Sequence, residues 1–455
     1  MEALRQKISS FRNDNLFALI TDEIPNDLID EYQRNSSHRF RNRNYSLGII
    51  MQAFLFQASQ DDKSEQNAVM MIAEHYKQIR EHHQALLLEA DKNKEGKKSY
   101  EKRGRPRREV PLIQKSKLQE LSLNTASFDA ARQRMPEELL RAAFIQKCVC
   151  FQPVPGDRTW HNHPVFVTDG TTFKTVDTPE LRKHFQAPKD NNPPPVPLGR
   201  LQGIINLYKG GLVAAGIDTY GSSEGRMLRS LYEYIPAGTV LLGDDLYSGY
   251  GHVACCLSKE IDLIVQGKHY RHEKVIKQLG QNDVLVEWTS NVPPSWFTED
   301  DVLPPTITIR RITLVDPLEP EKIITLYTTL KDALEYPTVD IAALFVSRWE
   351  IELSFRNIKS VMKMEYLRGK TVTMVNKEIY AHLLLYNIIR KKMSEYHTPI
   401  GDFPPCGSEI QTDTTVVPNQ IGYVDKLGRC YTRKGGRRTQ SNHSEISANE
   451  TNRKT

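Results

Sequence analysis

Three acidic residues stand where an acid is unfavourable unless water or a cation compensates it. In VFVTDGTTF the apolar run Val165-Phe166-Val167 leads straight to Asp169, and in TVLLGDDLY the run Val240-Leu241-Leu242 leads to Asp244 and Asp245. Both runs read as buried strands, so each delivers a carboxylate to the edge of a sheet. The third acid is Glu352, inside VSRWEIELSFRNIKSVM. Read as one continuous helix from Phe345, this stretch puts Arg348, Glu352 and Lys359 in a sector about 40° wide. Ile351, Phe355, Ile358 and Met362 lie to one side, Phe345, Trp349 and Leu353 to the other, and Glu350, Ser354 and Asn357 on the far face. A surface ion pair there would contribute only a few tenths of a kcal/mol. The apolar banks argue instead for a carboxylate in a cleft, neutralised by Arg348 and Lys359 or by a metal. Alone, Asp169-Gly170 also reads as a turn dipeptide. Together, three acids on one sheet edge repel one another without cations and make a cage for hard divalent ions, whose other ligands are waters and phosphate oxygens.

Such a cage needs a sheet to carry it. From residue 163 the period is that of strands: HPVFVTDGTTFK, then LQGIINLYKGG and GLVAAGIDTYG joined as a hairpin at Lys209-Gly210-Gly211. EGRMLRSLYEYI reads as a helix, GTVLLGDDLY as a buried strand entering a turn, GHVACCLSKEI as a helix and DLIVQGK as a strand. The order β-β-β-α-β-α-β predicts an α/β fold with a mixed sheet flanked by helices. Residues from about 270 to 335 turn strand-rich (VLVEW, TITIRRITLV, KIITLYTTL) and form a β insertion before helix returns near Asp340. The expected division is a helical region 1–90, a basic linker 91–118, a helical lead-in 119–162, the sheet domain 163–396 and a divergent, partly disordered tail 397–455. In the lead-in, Thr125 can cap FDAARQRM, and Pro136 with Glu137 and Glu138 suits the first turn of PEELLRAAFIQKC.

At 455 residues, 39% hydrophobic and 8% aromatic, the chain has room for two or three domains. Its net charge of +5 is local: from Lys92 to Lys117, eleven Lys and Arg face three Glu. That segment predicts a polyanionic partner. The six cysteines lack both a disulfide framework and zinc-ligand spacing, so they are read as core residues of a protein in a reducing compartment. Trp288 and Trp296 in the insertion read equally as core or as stacking residues. LGIIMQAFLF is far short of the roughly 20 residues that span a bilayer, and the first residues carry no h-region. A cytoplasmic location with no membrane partner is expected.

These residues carry a resemblance. From about Ser127 to Arg390 the chain resembles the IS4-type DDE transposases with their ribonuclease-H-like catalytic domain. The family pattern Tyr-x2-Arg-x3-Glu-x6-Lys appears as Phe345-x2-Arg348-x3-Glu352-x6-Lys359. DGTTF with VDTPELRKHF downstream, GDDLYSGY, LYTTLKD and MEYLRGKTVTMVNKEIYAHLLLYNIIRKKM agree in order, as does FDAARQRMPEELLRAAF before the domain. Phe345 replaces the signature tyrosine, Gln266 stands where arginine is usual with Lys268 and Arg271 nearby, and the sequence after Tyr396 departs from the family.

The resemblance implies a DNA transposase that binds the terminal inverted repeats of an insertion sequence and carries out metal-dependent strand cleavage and strand transfer by a cut-and-paste route. It implies Asp169, Asp244 and Glu352 as catalytic and metal-binding residues, holding two Mg2+ ions for which Mn2+ can substitute. Asp244 is taken over Asp245 because Tyr247 follows it at the family's distance. Arg348 and Lys359 would contact phosphates near the scissile bond, with Trp349, Phe345 and Lys268 beside them. Partners would be double-stranded DNA and a second copy in a synaptic homodimer, in a bacterial cytoplasm at the nucleoid. In the linker, KRGRPRR resembles an AT-hook, so Arg103 and Arg105 could enter a narrow A·T minor groove. The helices of 1–90 would recognise the repeats. Two alternatives are an element-derived inhibitor that binds repeat ends without transposing, and a ribonuclease-H-like nuclease without strand transfer.

Overall fold

The computed structural model describes residues 16–37, 44–60, 62–95, 120–185, 196–267, 273–290, 292–315, 323–361 and 364–396, with two short paired strands at Tyr423–Val424 and Cys430–Tyr431. Lys268, Arg103, Arg105 and the whole 102–108 run lie outside the described residues.

Four helices open the described chain: α1 (Leu16–Glu23), α2 (Asn26–Asn35), α3 (Leu47–Ser59) and α4 (Glu65–Glu95). α3 is apolar all round and buried along most of its length, as a helix at the centre of a layer must be. α4 is longer than the expected short helices, and its backbone continues into the first residues of the basic segment. Next come α5 (Ala126–Arg134) and α6 (Glu137–Cys148). Pro136 precedes α6 and two glutamates fill its first turn, favourable to the helix dipole. Thr125 makes no cap at α5; the side chain of Asn124 accepts the Ala126 amide instead, at 2.9 Å.

The sheet begins with β1 (Val165–Thr175), followed by the short α7 (Pro179–Phe185), which the strand-period reading does not foresee. β2 (Leu198–Asn206) and β3 (Leu212–Thr219) form the hairpin. Its turn is held by Asn206, whose side-chain oxygen accepts the amides of Tyr208 and Lys209, and by Gly210 at φ +67°. α8 (Glu224–Arg229) is only six residues, half the length read from EGRMLRSLYEYI, and a 3-10 turn takes over at Tyr232–Tyr234. β4 (Val240–Gly243), α9 (Tyr250–Ser258) and β5 (Asp262–Gly267) complete the first unit. The insertion supplies β6 (Glu273–Gly280), β7 (Asp283–Thr289), β8 (Thr306–Val315) and β9 (Ile323–Thr328). Then follow α10 (Thr338–Val346), α11 (Trp349–Arg356), a π-helical stretch Asn357–Val361, β10 (Tyr366–Leu367) and α12 (Val372–Tyr396).

Strand order is β3-β2-β1-β4-β5-β9-β8-β7-β6, with β10 beside β1. β1, β4 and β5 run parallel, while β2 and β3 are antiparallel to their neighbours. This is the ribonuclease-H-like mixed sheet expected from the sequence. The insertion belongs to it, because β9 pairs antiparallel with β5 and extends the same sheet.

One face of the sheet packs against α11 and α12, and through α12 against the N-terminal helices; the other packs against α8, α9 and the loop that carries Trp296 and Phe297. α12 is buried all round between residues 377 and 389. Its Leu383, Leu384, Leu385 and Ile388 are fully inaccessible, each contributing roughly 1.5–3 kcal/mol of transfer free energy. Asn387 exchanges two 2.9 Å hydrogen bonds with the backbone of Leu212, completing the start of edge strand β3. Cys148, Cys255 and Cys256 are buried as expected, but Cys150 is exposed: it sits in the 3-10 turn after α6, facing away from the core.

Candidate active site

Parallel pairing sets the two aspartates side by side. Val167 is paired with Leu242, and two residues further along each strand come Asp169 and Asp244, on the face that carries Val165, Val167 and Leu242. Gly170 is not in a turn. It lies inside β1 opposite Gln202, so the local Asp-Gly turn reading fails here because tertiary pairing with β2 continues through it.

Glu352 arrives on α11, which crosses this same face. Ile351, Phe355 and Ile358 are buried in the core with Val165 and Val167. The ring of Phe355 lies where Gly203, the strand partner of Asp169, has no side chain; a Cβ there would come within 2.8 Å of it. The continuous helix expected from Phe345 to Met362 is instead broken twice. α10 stops at Val346, a turn at Ser347-Arg348 separates it from α11, and the π-helical stretch follows at Asn357. Ser354 and Asn357, read as far-face residues, are buried.

The charged side chains still converge. Arg348 donates to Glu352 Oε1 at 3.1 Å, and Lys359 donates to Thr171 Oγ1, two residues beyond Asp169 on β1, at 3.2 Å. Arg348 is largely buried, lies 5.8 Å from the ring centres of both Phe345 and Trp349, and its Nε has no hydrogen-bond partner among the described residues. Trp349 is 51% exposed, so it is not a core residue; Phe345 packs partly into the core. Trp288 is core, edge-on to Tyr250, whereas Trp296 is half-buried and stacked on His252 at 4.5 Å.

Burial pushes the Asp169 carboxyl up to about 7; the Gly170 amide pulls it down, Asp244 raises it, Arg348 lowers it and Glu352 raises it. Asp244 is raised for the same first reason, with the Leu246 amide and Arg348 opposing. Two half-buried carboxylates stand side by side, with Arg348 the cation that acts on both, and they offer hard oxygen donors. The donor chemistry therefore suits a hard divalent ion. As the side chains stand, with Glu352 turned onto Arg348, no three acid, histidine or cysteine groups among the described residues are close enough to hold one.

Behind the aspartates lies a network that the sequence did not reveal. Glu224, the first residue of α8, accepts from Arg200 and from the hydroxyl of Tyr247, and Tyr247 is bonded to Gln202. In the sequence Glu224 reads as an ordinary acid in the first turn of a helix, and nothing local marks its partners.

Residues 160–388 match the model of the transposase DDE domain. The chain belongs to that family. InsG, the transposase of insertion sequence element IS4 from Escherichia coli strain K12, is 29% identical over 313 residues, 66% of this chain and 70% of InsG. A putative transposase InsL of element IS186A, also from Escherichia coli K12, is 33% identical over 101 residues, 22% of this chain and 26% of that one. A solved piggyBac transposase synaptic complex with hairpin DNA is matched over 86% of this chain and 78% of its own, at 10% identity and a TM-score of 0.36. The protein is an IS4-type DDE transposase, a DNA-binding enzyme that cleaves and transfers DNA strands. Transposases of this family work with divalent metal ions. Among the described residues no helix is long and apolar enough to cross a membrane.

Proposed function

We propose that this transposase uses Asp169, Asp244 and Glu352 to hold two divalent ions, Mg2+ with Mn2+ able to substitute, and works by cut-and-paste on the terminal inverted repeats of its own element. The observation that carries this reading is geometric: parallel pairing of β1 with β4 sets Asp169 and Asp244 side by side, on the face crossed by the helix that bears Glu352. When bound, the ions would supply Lewis-acid activation of the entering and leaving oxygens of an in-line displacement. Glu352 would exchange its bond to Arg348 for the ions. Arg348, with its unpartnered Nε, would turn its fork to a phosphate, and Lys359 would neutralise the next one. Phe345 would support Arg348 from below, and the exposed Trp349 would offer a ring to an unstacked base. Water attack would free a 3′-OH at the element end, and that hydroxyl would then displace a 3′-oxygen in target DNA.

Repeat recognition is assigned to residues 1–90, with Arg103, Arg105 and Lys268 adding phosphate or minor-groove contacts. The synaptic complex would be a homodimer acting at the nucleoid in the cytoplasm. The test is incubation of purified protein with a fragment bearing the element's ends and Mg2+ or Mn2+. Nicking followed by joining to a target is expected. Glu352→Gln should abolish nicking while leaving the affinity for the fragment within about threefold. Binding without nicking by the unaltered chain would point to an inhibitor, and nicking without joining to a nuclease.

A further inference from the structure

Gly170 has no room for a side chain. A Cβ at that position would stand 2.9 Å from both Cδ and Oε2 of Glu224 and 3.1 Å from Oε1 of Gln202. Glu224 therefore lies against the backbone of the residue that follows Asp169, on the opposite face of the sheet. Its Oε1 accepts from Arg200 Nη1 at 2.6 Å, and its Oε2 accepts from the Tyr247 hydroxyl at 3.1 Å. Gln202 donates to that hydroxyl at 3.0 Å and to Thr168 Oγ1 at 2.8 Å, and Thr168 donates to the Gly203 carbonyl at 3.1 Å. Thr168, Gln202 and Tyr247 are fully buried.

The network touches both aspartates without meeting either carboxylate. Thr168 and Gly170 flank Asp169 in β1. Tyr247 ends the 3-10 turn that Asp244 opens, where the Asp244 side chain accepts the Leu246 amide at 2.9 Å. Gln202 donates to Tyr247, whose hydroxyl lies 3.2 Å from Gln202 Oε1 and 3.1 Å from Glu224 Oε2, and Glu224 is the shared acceptor for Tyr247 and Arg200. A glutamine at 224 could serve one donor and would face the other with an amide hydrogen. An alanine would leave Arg200 and Tyr247 without their shared acceptor and open space behind Gly170.

We propose that Glu224 is a positioning residue: it fixes the height of the two aspartates on neighbouring strands, so that divalent-ion binding depends on a side chain that never touches the ion. This rests on the reading of Asp169 and Asp244 as ion ligands. Partners that hydrogen-bond a ligating side chain typically govern metal affinity by about 10–100-fold, and Glu224 would act at the lower end of that range, because it works through the backbone at Gly170 and through Tyr247.

The test is calorimetric titration of the purified full chain with Mn2+, together with the Mn2+-induced rise in thermal midpoint and the Mn2+ dependence of end-fragment nicking, for Glu224→Ala, Glu224→Gln and Asp169→Asn. Glu224→Ala should raise the half-saturating Mn2+ concentration at least about tenfold, and nicking should recover most of its rate when Mn2+ is in excess. Glu224→Gln should shift it about threefold in the same direction, which keeps the proposal testable if the alanine variant does not fold. A lowered metal-free midpoint with unchanged half-saturation in the folded Glu224 variants would make the residue structural only and overturn the inference. If Asp169→Asn also binds Mn2+ like the unaltered chain, the reading of the site itself fails. If Asp169→Asn abolishes binding while both Glu224 variants bind normally, only the role of Glu224 falls.

Discussion

At the scale of single residues, acids stand where they are costly. Asp169 and Asp244 were legible because each follows three apolar residues of a buried strand, and a strand that ends in an acid has few bland explanations. Glu352 was legible for the same reason, from apolar neighbours on both sides. Glu224 was not, since its meaning depends on residues 168, 200, 202 and 247 meeting in space. Taken alone, Asp169-Gly170 also reads as a turn dipeptide, because Asp-Gly is judged locally, whereas the constraint on Gly170 is the carboxylate of Glu224 pressed against it. This gives a prediction at the same scale. Gly170→Ala should lose about 1–3 kcal/mol in denaturant unfolding through overpacking, and Glu224→Ala in the same background should recover part of that loss. Strictly additive effects in the double-mutant cycle would contradict the contact.

At the scale of elements, a buried ion pair holds two strands of the β insertion together and ties them to the start of α10. Arg310 on β8 is wholly inaccessible and donates to both oxygens of Asp283 on β7, at 2.8 and 2.6 Å. The same guanidinium donates to the Tyr336 carbonyl at 2.7 Å and to Thr338 Oγ1 at 3.2 Å, so it also holds the start of α10. Asp283→Ala would strand a buried cation and should cost roughly 3–5 kcal/mol in chemical denaturation. A loss below about 1 kcal/mol would mean that the pair is solvated in solution. The sequence announced the insertion through its strand-rich composition, but not that it continues the main sheet, since strand pairing partners carry no local signal. Nor did periodicity foresee the break between α10 and α11: a helical wheel assumes a constant pitch, and the turn at Ser347-Arg348 and the π-helical stretch at Asn357–Val361 both violate it.

At the scale of the whole molecule, one carboxylate adds an ionic tie to the apolar packing between the N-terminal helices and α12. Glu23 at the end of α1 bonds Lys147 of α6 at 2.6 Å and Lys391 and Lys392 of α12 at 2.9 and 3.0 Å. Burial alone would raise its pKa, but the hydrogen bonds from these three lysines outweigh it and bring the carboxyl down to about 2. A depressed carboxyl stabilises the fold above its ordinary value of about 4.5 and loses that contribution as pH falls toward 2. Unfolding measured from pH 6 to pH 2.5 should show Glu23→Gln with a shallower loss of stability than the unaltered chain, the two curves converging at the acid end and separated by on the order of 3 kcal/mol at pH 6. Parallel curves would remove Glu23 from the acid response. This tie joins residues more than a hundred positions apart and had no trace in the sequence, where the first ninety residues read only as separate helices.

The central claim is that side chains at 169, 244 and 352, remote in the chain, share bound divalent ions. Iron(II) bound in the same place, with ascorbate and peroxide, generates hydroxyl radicals that cut the backbone nearby. The account predicts peptide cuts clustered close to these three positions, suppressed by excess Mg2+ and lost in Asp169→Asn. Cuts elsewhere, or cuts near only one of the three that persist in that variant, would contradict it.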